Sequence, residues 1–526
     1  MSRVYDIAVV GSAFGGSLIA MIARRLGRSV ILIERDRHPR FAIGESTTPL
    51  SNLLLESLAR RFDLPRLLPL TKWGSWQRER PELAGGLKRG FTFLHHRFGQ
   101  PHQWDPALRN ELLVAASPTD AIADTQWYRP DVDHFFQQEA VALGAEYCDQ
   151  VELTHLDPTE EGVTLRGTDG TGAPVLIRSR FLIDASGPRG FLHRHQSWGE
   201  LPIPGVSEAE ALFTHFTGVD RWDARHPAAS GVPFPADDAA LHHVFPGGWM
   251  WVLRFNQGIT SAGVSVLPSL AAELNLSEGA AAWERLLQRI PSVAEQFAGA
   301  RPTRPFTHVR KMSFRGPIAP SPRWTRLPSA MGFVDPLLST GFALNLLGIE
   351  RIATALERDE LPNPEALAHH EHATESDLLA AGRMIGALQA HFERPAAFST
   401  LLMLYFAAAS YSETARRLGR GHLAPGFLLH GHPQFGPESA AMLREAVETP
   451  NAVVTPGFVE RIQRTVARVD VGGWFDPGRD RWHPVETAPL FRAAASLESS
   501  VPELEQLLRG AGFPEAICSA GTASSQ

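Results

Sequence analysis

The stretch "YDIAVVGSAFGGSLIAMIARRLGRSVILIERD", residues 5–36, constrains this chain more than any other. Its opening apolar run, rich in β-branched residues, suits a strand buried on both faces of a parallel sheet. Gly11, Ala13 and Gly16 then occupy the three positions of the G-x-G-x-x-G/A fingerprint, with Phe14 between them. "SLIAMIARRLG" has helical spacing and stops at Gly27, and "SVILIE" is a second strand ending in Glu34. A strand–turn–helix–strand of this kind lets backbone approach a pyrophosphate seated on the helix N-terminus, while the terminal acid bonds ribose hydroxyls. Ala13 narrows that approach by a methyl group, and Gly15 beside Gly16 relieves it. An acid at position 34 fits an unphosphorylated adenosine ribose, so FAD or NAD rather than NADP. The bland alternative is a βαβ unit that holds no nucleotide.

A chain of 526 residues is too long for one core, so two or three domains are expected. Apolar content of 44% and charged content of 20% are those of a folded protein. The net charge of −7 offers no basic field to nucleic acid. Cys148 and Cys518 are the only cysteines, which excludes a disulfide framework or a Cys-rich metal site and fits a reducing, cytoplasmic setting. The first residues show no basic region followed by a cleavable apolar stretch, so no signal peptide is read there. No apolar run reaches the ~18 residues of a membrane span. The longest, "LLMLYFAAA" from Leu401 to Ala409, reads as a buried helix. "HHEH", His369 to His372, reads as a solvated helix face rather than a metal site, because neighbours at i and i+1 point apart; no metal is expected. His95, His96, His242 and His243 lie on expected strands, so one of each pair could face a pocket.

Four later segments bear on the nucleotide domain. In "HPRFAIGESTTPL", residues 38–50, Ser46, Thr47 and Thr48 precede Pro49, a helix-start signature with many donors, placed to lie along a ribityl chain or a flavin ring. "WYRPDVDHFF" sets Arg129 before a helix, and "RSRFLIDASG" is an apolar strand ending at Asp184–Gly187. "GFVDPLLSTGFALNLLGIE", residues 332–350, carries Asp335, Pro336, Leu338, Thr340, Gly341 and Phe342.

In this order, the fingerprint, "GEST", the isolated Arg129, "DASG" and "GFVDPLLSTG" resemble the flavin-dependent halogenases. These sit within the FAD monooxygenases of the p-hydroxybenzoate-hydroxylase fold. "HHVFPGGWMWVLRFN", residues 242–256, and "FTHFTGVD", residues 213–220, look like the branch that chlorinates tetracycline-type and other phenolic polyketides. The resemblance spans roughly residues 4–350. It implies an α/β chain with a discontinuous Rossmann-like FAD domain (1–190 plus 300–350), a β-sheet substrate domain (191–300) and a helical C-terminal region (351–526) over the substrate cavity. The final "SAGTASSQ" reads as a disordered tail.

The resemblance also implies chemistry. Reduced FAD and O2 give a flavin hydroperoxide; chloride or bromide attacks it to yield hypohalous acid; a lysine holds the halogen or forms a chloramine; an electron-rich ring is halogenated. The halide sits on the backbone N–H groups of Thr340 and Gly341, a nest-like turn. The lysine is Lys88 in "LKRGFTFLHH", with Lys72 in "TKWGSW" as rival. An amine is needed there because a buried lysine can lose its proton and an arginine cannot. Phe93, His95, Trp249, Trp251, Arg254, Pro336 and Leu338 are the implied substrate-pocket residues. Tryptophan halogenases carry a glutamate where this chain has Leu338, which favours a phenol that activates its own ring. Arg254 replaces the proline of the family's W-x-W-x-I-P motif, and Pro328 and Ser329 replace a common "GD". Arg254 is the motive for an alternative reading, an FAD monooxygenase or oxidase that needs no halide. A catalytically idle flavoprotein partner is the third. With no second dinucleotide fingerprint, reduced FAD is expected from a separate NAD(P)H-dependent reductase, and the aromatic substrate arrives free or carrier-tethered.

Overall fold

The computed structural model describes residues 3–227 and 230–519. The end of the expected tail, 520–526, lies outside the described residues. Strand Val4–Val10 lies between Val30–Ile33 and Pro174–Asp184, parallel to both; Glu146–Cys148 and Trp324–Arg326 extend the parallel sheet at its two sides. The first half of Pro174–Asp184 instead runs into an antiparallel meander with Val163–Thr168 and Glu152–Pro158. Alternation of side chains divides the central strand: Ile7 and Val9 join the main core with helices Phe14–Arg25 and Thr340–Arg358, whereas Ala8 and Val10 join a second core on the opposite face.

The fingerprint glycines are required by contact. Gly11 has φ +99°, and a Cβ there would lie 2.5 Å from the Ala185 carbonyl oxygen; one on Gly16 would lie 1.9 Å from the Gly11 carbonyl oxygen. The turn, the first helix and the "DASG" strand end thus meet backbone to backbone.

A nine-stranded, mostly antiparallel sheet forms the second layer. Its central strands are Glu210–Thr217, Thr260–Val266, Gly248–Arg254 and Ala240–Phe245. It reaches past 191–300 at both ends of the chain: Gly90–His95, Glu111–Ala115 and Trp482–His483 continue it. Trp249 and Trp251 face the main core, and Met250 and Val252 face a separate core closed by helices Pro268–Leu274, Ala280–Leu287 and Pro291–Gln296.

Beyond residue 358 the chain is mainly helical, with long helices Pro364–Gln389 and Pro395–Arg417. Leu401–Ala408 is buried inside the second, as its apolar run required. Among the described residues, no helix is long and apolar enough to cross a membrane. The solvated-face reading of "HHEH" needs correction. His369 and His372 are exposed, but His370 and Glu371 are buried: the His370 ring bonds the Arg326 carbonyl at 2.8 Å, and Glu371 pairs with the buried Arg326 guanidinium at 3.0 Å. One helical turn therefore splits between core and solvent. No group of His, Cys, Asp and Glu side chains among the described residues could hold a metal ion.

Candidate active site

Three loop segments converge at the end of the parallel sheet. The first is the fingerprint turn. Glu34 is buried, and its Oε2 accepts from the Ser12 N–H (3.0 Å), the Ser12 hydroxyl (2.8 Å) and Arg40 (3.0 Å), while Oε1 accepts only the Asp36 N–H (3.0 Å). Burial pushes this carboxyl up, but Arg40 and the N–H donors outweigh it and hold it below its ordinary value. Oε1 keeps a lone pair for a ribose hydroxyl.

The second segment is "GEST". Arg129 holds it: its NH1 donates to the Ile43 and Gly44 carbonyls at 3.0 and 2.8 Å, and its other two nitrogens clasp Asp133 at 2.9 and 2.8 Å. Asp133 accepts in turn from the Phe14 N–H at 3.1 Å. Arg129 thus ties the loop to the start of the first helix, and its guanidinium lies over the Phe14 ring. Phe342 packs on Phe14 at 4.8 Å and against Trp127. Helix Pro49–Arg61 begins as its sequence signals, with Thr48 and Ser51 forming a reciprocal cap. Sequence reasoning gave no role to Glu45, which bonds the His215 ring at 2.7 Å inside the protein.

The third is the turn at 336–341. Asp335 caps it, accepting from the Leu337 N–H at 2.9 Å and the Ser265 hydroxyl at 2.6 Å. Ser339 is left-handed at φ +54° and leads into helix Thr340–Arg358, whose first turn carries no side-chain cap. Gly341 sits there in an ordinary helical conformation, exposed, with Phe333 at 3.9 Å the nearest atom to any added Cβ. Nothing in the chain requires a glycine at that place. With the half-exposed Ser46, whose buried hydroxyl oxygen has no hydrogen-bond partner, it marks a face shaped for something outside the chain. A lone pair at Glu34, a donor-rich loop, an uncapped helix start and an open glycine are what a flavin dinucleotide needs, so the residues present fit FAD.

Lys88 lies where the second and third segments meet. It is fully buried; its Nζ donates to the Thr47 carbonyl at 2.5 Å and the Ser339 hydroxyl at 3.3 Å, and sits 4.1 Å from the centre of the Phe91 ring. Burial lowers its pKa to about 7 against the opposing pull of Asp124, its cross-strand partner. Lys72 is remote from this junction: its Nζ bonds the Ala511 carbonyl at 3.1 Å.

A cavity of about 220 Å³ opens beside Lys88. Phe91, Asp124, Ser339, Thr340, Tyr405 and Phe406 line it, as do Lys72, Glu413, Arg417, Trp474 and Leu508; Lys88 itself sits behind Phe91 and Ser339 rather than in the lining. Phe93, His95, Trp249, Trp251, Arg254, Pro336 and Leu338 do not line this cavity. Phe398 of helix Pro395–Arg417 packs against Phe93 and His95, and His242 lies against Phe93 and Trp249, so this part of the sheet face is filled. Leu338 contributes only its carbonyl, which accepts the Tyr405 hydroxyl at 2.9 Å. Burial lowers the pKa of His95 and His242 to about 3, which keeps both rings neutral. His96 and His243 face the other way and bond each other at 2.9 Å.

Arg254 has a structural duty. It bonds Asp237 at 2.6 Å and the carbonyls of Val219 (3.0 Å) and Asp220. Asp237 is fully buried at its side chain. Arg254→Ala would strand that carboxylate, and a loss on the order of 3 kcal/mol is expected, as for other broken buried pairs. Urea unfolding of the variant checks this; an unchanged midpoint would count against it.

Sequence reasoning missed Asp124, Asn52 and Tyr405. Only Tyr405 left a signal: a hydroxyl in an otherwise apolar helical run needs a partner.

No protein-family model matches the chain. Tetracycline 7-halogenase of Kitasatospora aureofaciens is 31% identical over 374 residues, which is 68% of this chain and 65% of that protein. Monodechloroaminopyrrolnitrin halogenase PrnC of Pseudomonas fluorescens is 29% identical over 379 residues, 70% of this chain and 65% of its own length. The match thus spans just under two thirds of each of these relatives. Among solved structures, halogenase PltM in complex with phloroglucinol and FAD superposes with a TM-score of 0.79, covering 91% of this chain and 99% of that one, at 22% identity. That likeness establishes the fold.

Proposed function

We propose that this chain, which resembles the flavin-dependent halogenases in sequence and shares their fold, is an FAD-dependent halogenase that places chlorine or bromine on an electron-rich, phenolic ring. The observation that carries the reading is Lys88: a fully buried amine bonded to both the Thr47 carbonyl and the Ser339 hydroxyl, beside an aromatic-walled cavity. Glu34, Ser46, Thr47 and the turn at Gly11–Gly16 would hold the dinucleotide, Arg129 and Asp335 would fix the loops around it, and Phe342 would back them. The Thr340 and Gly341 N–H groups would take the halide. Reduced FAD with O2 supplies the oxidising equivalents that make the halide electrophilic.

The protein's own contribution is positional. A lysine whose proton is loosened by burial presents a nitrogen lone pair that an electrophilic halogen can use, which a guanidinium cannot do. Phe91, Tyr405 and Phe406 exclude water and hold a flat ring against the amine. The sequence contains one dinucleotide fingerprint, so reduced FAD comes from a separate NAD(P)H-dependent reductase, and the substrate is free or carrier-tethered. The halide-free monooxygenase reading rested on Arg254, whose bonds to Asp237 and two carbonyls account for it structurally.

The test is product mass. With reduced FAD, O2 and a panel of phenols, product is expected to gain bromine when bromide is present and to vanish without halide. Oxygenated product independent of halide would overturn the reading.

Gly341 provides a separate check. Alanine fits its space and is better in a helix by up to about 1 kcal/mol. Gly341→Ala is therefore expected to raise the thermal midpoint of the flavin-free protein while weakening FAD and bromide binding. Unchanged binding with raised stability would remove Gly341 from the site.

A further inference from the structure

One wall of the cavity carries a carboxylate in an unusual state. Asp124 is buried, and its Oδ1 accepts from the Asn52 amide at 2.8 Å. That amide's other proton goes to the Thr47 hydroxyl at 3.1 Å, so the amide cannot turn away. Asp124 Oδ2 is buried and has no hydrogen-bond partner. A buried carboxylate oxygen left without a donor is costly. The other carboxylates lining the cavity are answered by arginines: Glu56 by Arg60, Glu413 by Arg417 and Glu486 by Arg479. The charges facing Asp124 are Lys88 across the strand pair and, from helix Pro395–Arg417, Glu413 and Arg417.

We propose that Asp124 accepts the proton of the substrate's aromatic hydroxyl, and that the enzyme therefore takes phenols whose hydroxyl meets Asp124 Oδ2. The inference rests on the halogenase reading. Phe91, Ser339 and Asp124 line the cavity, and the Lys88 amine lies behind them, bonded to the Ser339 hydroxyl and 4.1 Å from the centre of the Phe91 ring, so a ring against these residues has the carboxylate beside it and the amine next to its wall. The hydroxyl proton passes to Oδ2, and the oxygen's electron pair is pushed into the ring. A ring carbon then attacks the halogen, in its +1 state, held on the Lys88 nitrogen. The C–halogen bond forms, the N–halogen bond breaks, and its electron pair stays on nitrogen. That nitrogen takes up the ring C–H proton as aromaticity returns, and the Asp124 carboxyl group gives its proton back to the phenolic oxygen. Across the step, C–H and N–halogen become C–halogen and N–H.

The experiment compares Asp124→Asn with the parent on two phenols, one of ordinary acidity and one acidic enough to be ionised at the assay pH. Asparagine keeps the acceptor for Asn52 and loses only the base. With the ordinary phenol, brominated product is expected to form about 10²–10⁴-fold more slowly, the range of a positioned proton acceptor. With the ionised phenol the loss should be no more than a few-fold, because no proton remains to be taken. Asp124→Glu, which keeps a base, should show the parent's preference between the two. FAD titration of each variant establishes that the site is intact. Equal loss on both phenols, or no loss on either, overturns the inference. If the parent itself brominates neither phenol, the halogenase reading falls first; a parent that brominates both while the variant shows no such selectivity defeats the Asp124 role alone.

Discussion

Lys88→Ala is expected to lower halogenated product by about 10²–10⁴-fold, the range contributed by a positioned reacting side chain, with FAD still bound. The reason is geometric. Nζ bonds the Thr47 carbonyl and the Ser339 hydroxyl behind the cavity wall, and of the expected FAD contacts only Thr47 touches it, while the fingerprint turn, Glu34 and Arg129 belong to other contacts. Consumption of reduced FAD should therefore continue without matching product. Lys88→Arg should fail as well. A guanidinium keeps its proton, and its larger head has no room where the lysine is fully buried. Lys72→Ala is expected to be mild, because Lys72 bonds the Ala511 carbonyl, away from Thr47 and Ser339. Brominated product and reduced-flavin consumption are followed separately. A Lys88→Ala protein that brominates near the parent rate would refute the assignment.

What could be read from the sequence, and what could not, divides along the range of the interactions. Gly11, Gly16 and Glu34 were legible because a tight turn and a strand end are local: the glycines are forced by backbone contacts at 2.5 and 1.9 Å, and the acid lies one strand away. The meeting of "GEST", "STG" and Lys88 came from motif order. The cavity was not legible, because its walls come from residues more than 300 positions apart, among them Phe91, Tyr405 and Phe406. Strand alternation placed Phe93, His95, Trp249 and Trp251 on one face, and that face is correctly internal. Which part of it stays open is decided by helix Pro395–Arg417, whose Phe398 fills the Phe93–His95 end. At the Phe91 end the same helix offers Tyr405 and Phe406 instead, at 6.2 and 5.8 Å, and the cavity lies there. Periodicity reports the face of a strand and says nothing of what covers it. Asp124 and Asn52 were missed for a related reason. A single polar residue in a strand or helix reads as surface until its partner is known: Lys88 is the cross-strand partner of Asp124, and Asp124 is the hydrogen-bond partner of Asn52 on helix Pro49–Arg61.

The Lys88–Asp124 pair also sets an expected pH dependence. Burial is the largest influence on both groups: it lowers the amine to about 7 and raises the carboxyl to about 7, since removing either charge from water is unfavourable. Their mutual attraction acts in the opposite direction on each. On the proposed mechanism the reactive form needs a neutral amine, which becomes more abundant as pH rises. Halogenation is therefore expected to climb through neutral pH and to fall by about tenfold per unit below pH 7, more steeply if the carboxyl must also be ionised. An ordinary exposed lysine would place that limb near 10. Asp124→Asn removes the negative charge that helps Lys88 keep its proton, so whatever activity it retains on an ionised phenol should show its limb displaced to lower pH. The same asymmetry acts on stability. Lys88 binds its proton more weakly in the folded protein than in the unfolded chain, so its contribution is full above the ordinary lysine value and is lost as pH falls toward 7. Rate profiles between pH 5 and 9 at saturating bromide, with a phenol that titrates outside that window, check the kinetic claim. A flat profile, or a limb that stays in place when Asp124 is replaced, would show that the amine is not coupled to this carboxylate.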